Sequence, residues 1–311
     1  MRYGMKFIND IQQSTLKNTV VVLGNFDGLH KGHLTLLAKA KEIAKEQQLK
    51  TAFFTFYPHP THVLSKHEVA LINTDMEKQH VAENEGMDYY IQFPFTKETA
   101  GMEPEEFIRS ILHEHLGAKA VVVGEDYAFG KMRKGNIEML EQYSHEYGYS
   151  LHAMKKISYN NRIISSTWIR EAIQEADMDL AETLMGRPYF VTGIVIEGAK
   201  LGRTIGYPTA NVKPDGHKQL PRNGIYATEV DVLGQTYYGL TYVGTKPTID
   251  ENIYEILVET YIIDFDQEIY GERILVKFHK FLRTEEKYDS LEELVTQMKE
   301  DEKDLRAYYN L

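Results

Sequence analysis

Three short stretches gather the side chains that can do chemistry. The first is "GNFDGLHKGH" (Gly24–His33), with His30 and His33 three apart behind Gly24, Asp27 and Gly28. A shared metal, a bound phosphate and plain turn geometry all suit such a pair. The chain has no cysteine, and no carboxylate pair stands beside the histidines at ligand spacing, which weighs against a metal. The stretch sits where the apolar run Thr19–Leu23 hands over to a helical pattern. There Gly24, Gly28 and Gly32 let the backbone come close to a ligand. A helix start adds free N–H groups and the positive end of its dipole, an anion site. Imidazoles beside it can donate hydrogen bonds to phosphoryl oxygens as charge develops. The combination suits a nucleoside triphosphate attacked at its α-phosphate, with pyrophosphate leaving.

The second stretch is "ISSTWIR" (Ile164–Arg170). Ser165, Ser166 and Thr167 stand at a helix start, where hydroxyls and backbone N–H groups can meet phosphates. Arg170 follows one turn on and can pair bidentately with phosphate. Taken in isolation, these residues read more readily as a simple N-cap with a solvated arginine. The third is "GRTIGYPTANV" (Gly202–Val212). Gly202 and Gly206 permit a backbone that wraps phosphate, and Pro208 fixes the chain before Thr209. The Thr209 hydroxyl and the Asn211 amide can then hold Mg²⁺ and phosphate oxygens of ATP. Farther on, Glu259 interrupts the apolar run "ILVETYII". It either faces solvent or faces a barrel mouth, where it would be a candidate general base for an alcohol nucleophile.

The elements that must position these residues fall into two groups. Strand-like runs alternate with helical ones up to about Ile157: Thr19–Leu23, a helix from His33, "TAFFTF", a capping box from Thr74 to Glu77, "YYIQF", "PEEFIRSILHEHLG", "AKAVVVG", "NIEMLEQYSHEYG" and "SLHAMKKI". Such alternation predicts right-handed crossovers and a parallel sheet, with ligands beyond the carboxyl ends of the strands. The loops after Leu23, Phe56 and Val123 should converge there. From Tyr189 the rhythm becomes short strands punctuated by glycine, with no helix until Ser290, the signature of a small antiparallel barrel closed by a C-terminal helix. The change falls at "LMGRPY", so we expect domains at residues 1–186 and 187–311. The formal charge of −11, from 35 basic and 46 acidic residues, disfavours nonspecific nucleic-acid binding. No apolar run approaches the roughly 18 residues of a spanning helix. A cytoplasmic protein with small-molecule substrates is the expectation.

The ordered motifs resemble a known family. "GNFDGLHKGH" looks like the H-x-G-H motif of the nucleotidyltransferase superfamily. Together with "TFYPHP", "VGEDYAFG" (Val123–Gly130) and "ISSTWIR", it resembles the adenylyltransferase half of bacterial bifunctional riboflavin kinase/FMN adenylyltransferases. "GRTIGYPTANV" and the strand segments after it resemble the riboflavin kinase half. The resemblance implies a Rossmann-like α/β domain followed by a β-barrel domain with a C-terminal helix. It implies phosphorylation of riboflavin to FMN, then adenylylation of FMN to FAD, with ATP and Mg²⁺ in both steps. By the family pattern, His30 and His33 are catalytic in the first domain, beside phosphate contacts from Gly24, Asn25, Phe26, Asp27, Gly32, Ser165, Ser166, Thr167 and Arg170. Phe56, His59, Asp126 and Phe129 fall where flavin contacts occur, although the two phenylalanines could equally pack a core and His59 could simply shape a turn. In the second domain Gly202, Gly206, Thr209 and Asn211 hold ATP and Mg²⁺, and the resemblance makes Glu259 the base. Arg283 is either a flavin or phosphate contact or an exposed charge. Tyr127 stands where the family usually has Phe, and the "KPTIDENIYE" connection lacks a customary glycine.

Overall fold

Thr19–Leu23 is buried at all five positions, because it occupies the middle of a sheet that helices cover on both faces. The structure is a computed structural model and describes residues 4–64, 69–198, 201–214, 217–247 and 254–311. Most of the "KPTIDENIYE" connection lies outside the described residues. The chain divides into two compact units, Met1–Ser165 and Ser166–Leu311.

The first unit runs β1 (Lys6–Ile8), β2 (Thr19–Leu23), α1 (Lys31–Gln47), β3 (Lys50–Tyr57), α2 (Pro60–Leu64), α3 (Asp75–Asn84), β4 (Tyr89–Pro94), α4 (Pro104–Glu106), β5 (Ala118–Gly124), α5 (Ile137–Tyr147), β6 (Ser150–Met154) and a small hairpin, β7 (Ser158–Tyr159) with β8 (Arg162–Ile163). After α4 the chain continues as the π-wound segment Phe107–His115. The six larger strands form one parallel sheet in the order β1-β4-β3-β2-β5-β6. Because all six run the same way, the loops after β2, β3 and β5 leave from one edge, as the alternation predicted. The expected capping box is present, with Thr74 and Glu77 each satisfying the other's backbone N–H. Helix α1 opens at Lys31, two residues before the expected start. His30 therefore holds the N-cap position and His33 lies in the first turn. The predicted apolar stripe of Leu36, Leu37, Ala40, Ile43 and Ala44 is buried.

The second unit opens with α6 (Ser166–Gln174) and α7 (Met178–Met185), then β9 (Tyr189–Ile196), α8 (Leu201–Thr204), β10 (Thr209–Pro214), β11 (Gly224–Val232), β12 (Gln235–Pro247), β13 (Tyr254–Ile262), β14 (Arg273–Arg283) and α9 (Leu291–Tyr309). The strands close into a six-stranded antiparallel barrel, β10-β13-β12-β11-β14-β9. The sequence pattern shows five of them. The sixth, β10, is the "TANVKP" stretch that reads as a glycine-proline loop, and α8 is a helical turn where no helix was expected before Ser290. Strand alternation sets the two faces of the wall. Tyr226, Thr228, Thr241, Val258 and Thr260 are buried inside. Three of these form a hydroxyl ladder, Thr228 to Thr241 at 2.8 Å and Thr241 to Thr260 at 2.9 Å, which satisfies polar groups that burial would otherwise penalise. On the outer face, Leu305 of α9 packs against Ala227, Leu240 and Ile263.

Candidate active sites

In the first unit the site grows from the turn between β2 and α1. Phe26 (φ 53°), Gly28 (φ 88°) and Leu29 (φ 39°) all adopt left-handed backbone, a conformation costly for the two side-chain-bearing residues. Burial of those side chains holds it, with Phe26 1% and Leu29 0% exposed. The Phe26 ring packs on Phe53 at 4.4 Å and meets His33 edge-on at 5.3 Å. A Cβ on Gly24 would stand 2.7 Å from that ring, and one on Gly32 would stand 3.0 Å from the His30 ring. These two glycines thus make room for aromatic packing as well as for a ligand. His30 and His33 stack with ring centroids 3.8 Å apart, 16° from parallel. Asp27 is turned inward, and its Oδ1 accepts hydrogen bonds from the Ile72 and Asn73 N–H groups at 2.9 and 3.3 Å. Of the expected phosphate contacts here, Asn25 is exposed and Gly24 and Gly32 are half-buried, whereas the Phe26 and Asp27 side chains serve the fold.

The expected flavin contacts sit at the ends of β3 and β5. Phe56 meets Phe54, Phe93 and Phe95 edge-on. Phe129 is buried against Phe107 and stacks with Tyr127 at 5.8 Å. His59 lies just beyond the cis Tyr57-Pro58 bond and is within 2.7 Å of the Thr61 hydroxyl. Asp126 is exposed and pairs with Lys156 at 2.7 Å. The Tyr127 hydroxyl is buried, and burial pushes its pKa up. Ser165 ends the first unit and Ser166 opens α6 of the second. Ser165, Ser166 and Arg170 are half-buried and Thr167 is exposed.

In the second unit the barrel's register gathers the candidate kinase residues. Asn211 of β10 pairs with Glu259 of β13, and Glu259 pairs with Tyr242 of β12. One row over, Thr209 pairs with Tyr261. Paired residues share a face, so Thr209, Asn211, Tyr242, Glu259 and Tyr261 all lie on the outer wall. Glu259 is half-buried on that face. It lines a cavity of about 350 Å³ between that wall and α9, together with Tyr207, Tyr261, Arg283, Met298 and Asp301. A second cavity, of about 470 Å³, is lined by Arg203, Thr209, Thr260, Asp266 and Tyr270. Thr209 belongs to both. The turn into β10 is tight: the Tyr207 N–H reaches the Gly202 carbonyl at 2.8 Å, and a Cβ on Gly202 would strike the Tyr207 carbonyl oxygen. Gly206 has φ 86°. Burial, then hydrogen bonding and charge from Glu285, then the Glu259 charge push the Tyr242 phenol up to about 12.

Arg283 lines the cavity under α9, and its guanidinium is forked onto Asp301 of α9 at 2.8 Å on both arms. Those bonds hold its pKa above the usual value. Asp301 is 4% exposed, so Asp301→Ala removes both arms of the fork and leaves the Arg283 guanidinium with the Thr284 carbonyl at 3.1 Å. Unfolding of the second unit should then need about 3 kcal/mol less, read by denaturant titration. Sequence reasoning missed Asp301, Tyr242 and Tyr261. The alternation that put Glu259 on one face also put Tyr261 there, but nothing local shows which wall α9 covers.

Among the described residues no group of three His, Cys, Asp or Glu could hold a metal ion, and no helix is long and apolar enough to cross a membrane. Residues 12–168 match the family model described as FAD synthetase, and residues 185–309 match that described as riboflavin kinase. The bifunctional riboflavin kinase/FMN adenylyltransferase of Bacillus subtilis (strain 168) is 36% identical over 296 residues, covering 94% of this chain and 93% of that protein. The protein of the same name from Escherichia coli (strain K12) is 34% identical over 306 residues, covering 98% and 97%. A solved Streptococcus pneumoniae structure described as a macrolide-efflux protein superposes with a TM-score of 0.86 at 32% identity, over 97% of this chain and 98% of that one. The chain belongs to the family of bifunctional riboflavin kinase/FMN adenylyltransferases.

Proposed function

We propose that the chain makes FAD in two steps, phosphorylating riboflavin to FMN in the barrel unit and adenylylating FMN to FAD in the parallel-sheet unit. The observation that carries the kinase assignment is the shared row of Asn211 and Glu259, with Thr209 lining two cavities at once. A residue common to two adjoining cavities suits a reaction between two substrates. ATP occupies the larger cavity and riboflavin the one under α9. Glu259 takes the proton of the ribityl 5′-hydroxyl as its oxygen attacks the γ-phosphorus and the bond to ADP breaks. Thr209 and Asn211 offer oxygen donors of the kind Mg²⁺ takes beside phosphates. A Cβ on Gly198 would stand 2.3 Å from Asn211 Nδ2, so the backbone confines that amide. When bound, Mg²⁺ offsets negative charge developing on the ATP phosphates.

In the sheet unit the FMN phosphate oxygen attacks the α-phosphorus of ATP and pyrophosphate departs. His30 and His33 donate hydrogen bonds to the phosphoryl oxygens. The start of α1 and the Gly24, Asn25 and Gly32 backbone receive the nucleotide phosphates. Phe56 and Phe129 bound the flavin site, with His59 and Asp126 on its loops. The motif gives Ser165, Ser166, Thr167 and Arg170 a share in holding phosphate. A cytoplasmic setting goes with this reading, since both steps consume ATP. Incubating the protein with riboflavin, ATP and Mg²⁺ and separating the flavins by chromatography should yield FMN, then FAD. Riboflavin left unchanged would refute the assignment.

The kinase domain proper begins at Arg187 in this reading, yet α7 buries Met178, Leu184 and Met185 and packs on β9 and β14. A fragment 187–311 should phosphorylate riboflavin but be less stable than 166–311 by about 5 kcal/mol, because it lacks the three large apolar side chains that the longer fragment buries. Urea midpoints of the two fragments measure the difference.

A further inference from the structure

The cavity under α9 carries more negative than positive charge. Among the described residues its charged lining is Glu259, Glu285, Glu286 and Asp301 against Arg283 alone. Lys287, next in the chain, stands outside that lining. Arg283 already gives both arms of its guanidinium to Asp301 at 2.8 Å. Glu285 and Glu286 lie on the exposed loop after β14, and phenols serve them. Tyr288 donates to Glu286 Oε2 at 3.3 Å, and Tyr242, the cross-strand neighbour of Glu259, hydrogen-bonds Glu285. Burial, then Glu285 and Glu259, push the Tyr242 phenol up to about 12, and burial raises that of Tyr288. Both phenols therefore stay protonated at neutral pH. They satisfy the carboxylates without neutralising them. The flavin loop of the sheet unit is the reverse: Lys131, Arg133 and Lys134 follow Phe129, and Lys156 pairs with Asp126 at 2.7 Å.

Phosphorylation changes the charge of the flavin. Riboflavin is neutral, whereas the phosphate of FMN carries nearly two negative charges at neutral pH. That charge appears on the ribityl 5′-oxygen, the atom whose proton Glu259 takes. An anion formed beside like charge is repelled, and a site can reject one ligand by the charges it sets against it. We propose that Glu285 and Glu286 set the flavin selectivity of the barrel cavity, admitting neutral riboflavin and driving out FMN once its phosphate has formed. The proposal rests on the barrel being the riboflavin kinase, which ADP release by the wild-type protein with riboflavin and ATP checks independently. Adenylylation releases pyrophosphate, so ADP reports phosphorylation alone and the full chain can be used. Initial rates of ADP release at varied riboflavin and fixed FMN give the riboflavin KM and the FMN inhibition constant, Ki. In the double variant Glu285→Gln, Glu286→Gln, which keeps both hydrogen-bond acceptors, the ratio of Ki to KM should fall about threefold to tenfold, the scale of two partly screened charges. Added salt should lower the wild-type ratio and leave that of the variant nearly constant. An unchanged ratio in the variant overturns the proposal, as does a parallel fall in Ki and KM, which would mean that the carboxylates act on the flavin ring and not on the phosphate. Should the variant fail to fold, the wild-type salt series decides, and a ratio that does not fall with salt overturns the proposal.

Discussion

Glu259→Gln should lower riboflavin phosphorylation by about 10²–10⁴-fold, the range a general base supplies. Glutamine keeps the size and hydrogen-bonding reach of the side chain but cannot accept a proton at neutral pH. The neighbours that fix its position, Asn211 and Tyr242 across the strand rows, are unchanged by the substitution. ATP affinity should therefore hold. FAD formation from supplied FMN should be untouched, because that chemistry belongs to the other unit. The measurement is a pair of initial rates on one purified variant, with riboflavin and with FMN. Equal losses would indicate a shared site or misfolding, and no loss with riboflavin would remove Glu259 from the reaction.

His30→Ala and His33→Ala should each slow FAD formation from FMN about a hundredfold, or about 3 kcal/mol, as expected when one donor to a developing oxyanion is removed. FMN should still form from riboflavin. The rings stack at 3.8 Å, so each imidazole orients the other, and the double variant should lose less than the sum of the two single losses. Near-wild-type FAD formation in both single variants would remove the phosphate role, and strict additivity would show that the stacking does not matter to catalysis.

The elements with strong periodicity were legible from sequence alone. Strand β2, the apolar stripe of α1, the Thr74–Glu77 capping box and five barrel strands follow from local pattern, because burial writes a period into the chain. Strand β10 escaped because Gly206 and Pro208 punctuate its approach and Pro214 closes a run of only six residues. The placement of Glu259 was half legible: alternation fixes which residues share its face, but only tertiary packing brings α9 over the outer wall. The side-chain directions of Phe26 and Asp27, two of the expected phosphate contacts, were not legible because motif position says nothing about them. The structure turns both inward, where one fills the core and the other receives backbone N–H groups.

Closure of the barrel has a consequence for how the polypeptide is made. Strand β9 is bonded to β10 on one side and to β14 on the other, and Tyr189 at its start pairs with Phe278 in the middle of β14. On the ribosome, β9 emerges early and waits with an open edge until β14 has been translated. An unpaired edge is a template for wrong partners, and such long-range pairing is slow to form. Premature termination before Arg273 therefore abolishes the ring rather than shortening it. The parallel sheet has no such dependence, since its last strand ends at Met154. The two activities should thus differ sharply in their tolerance of C-terminal truncation.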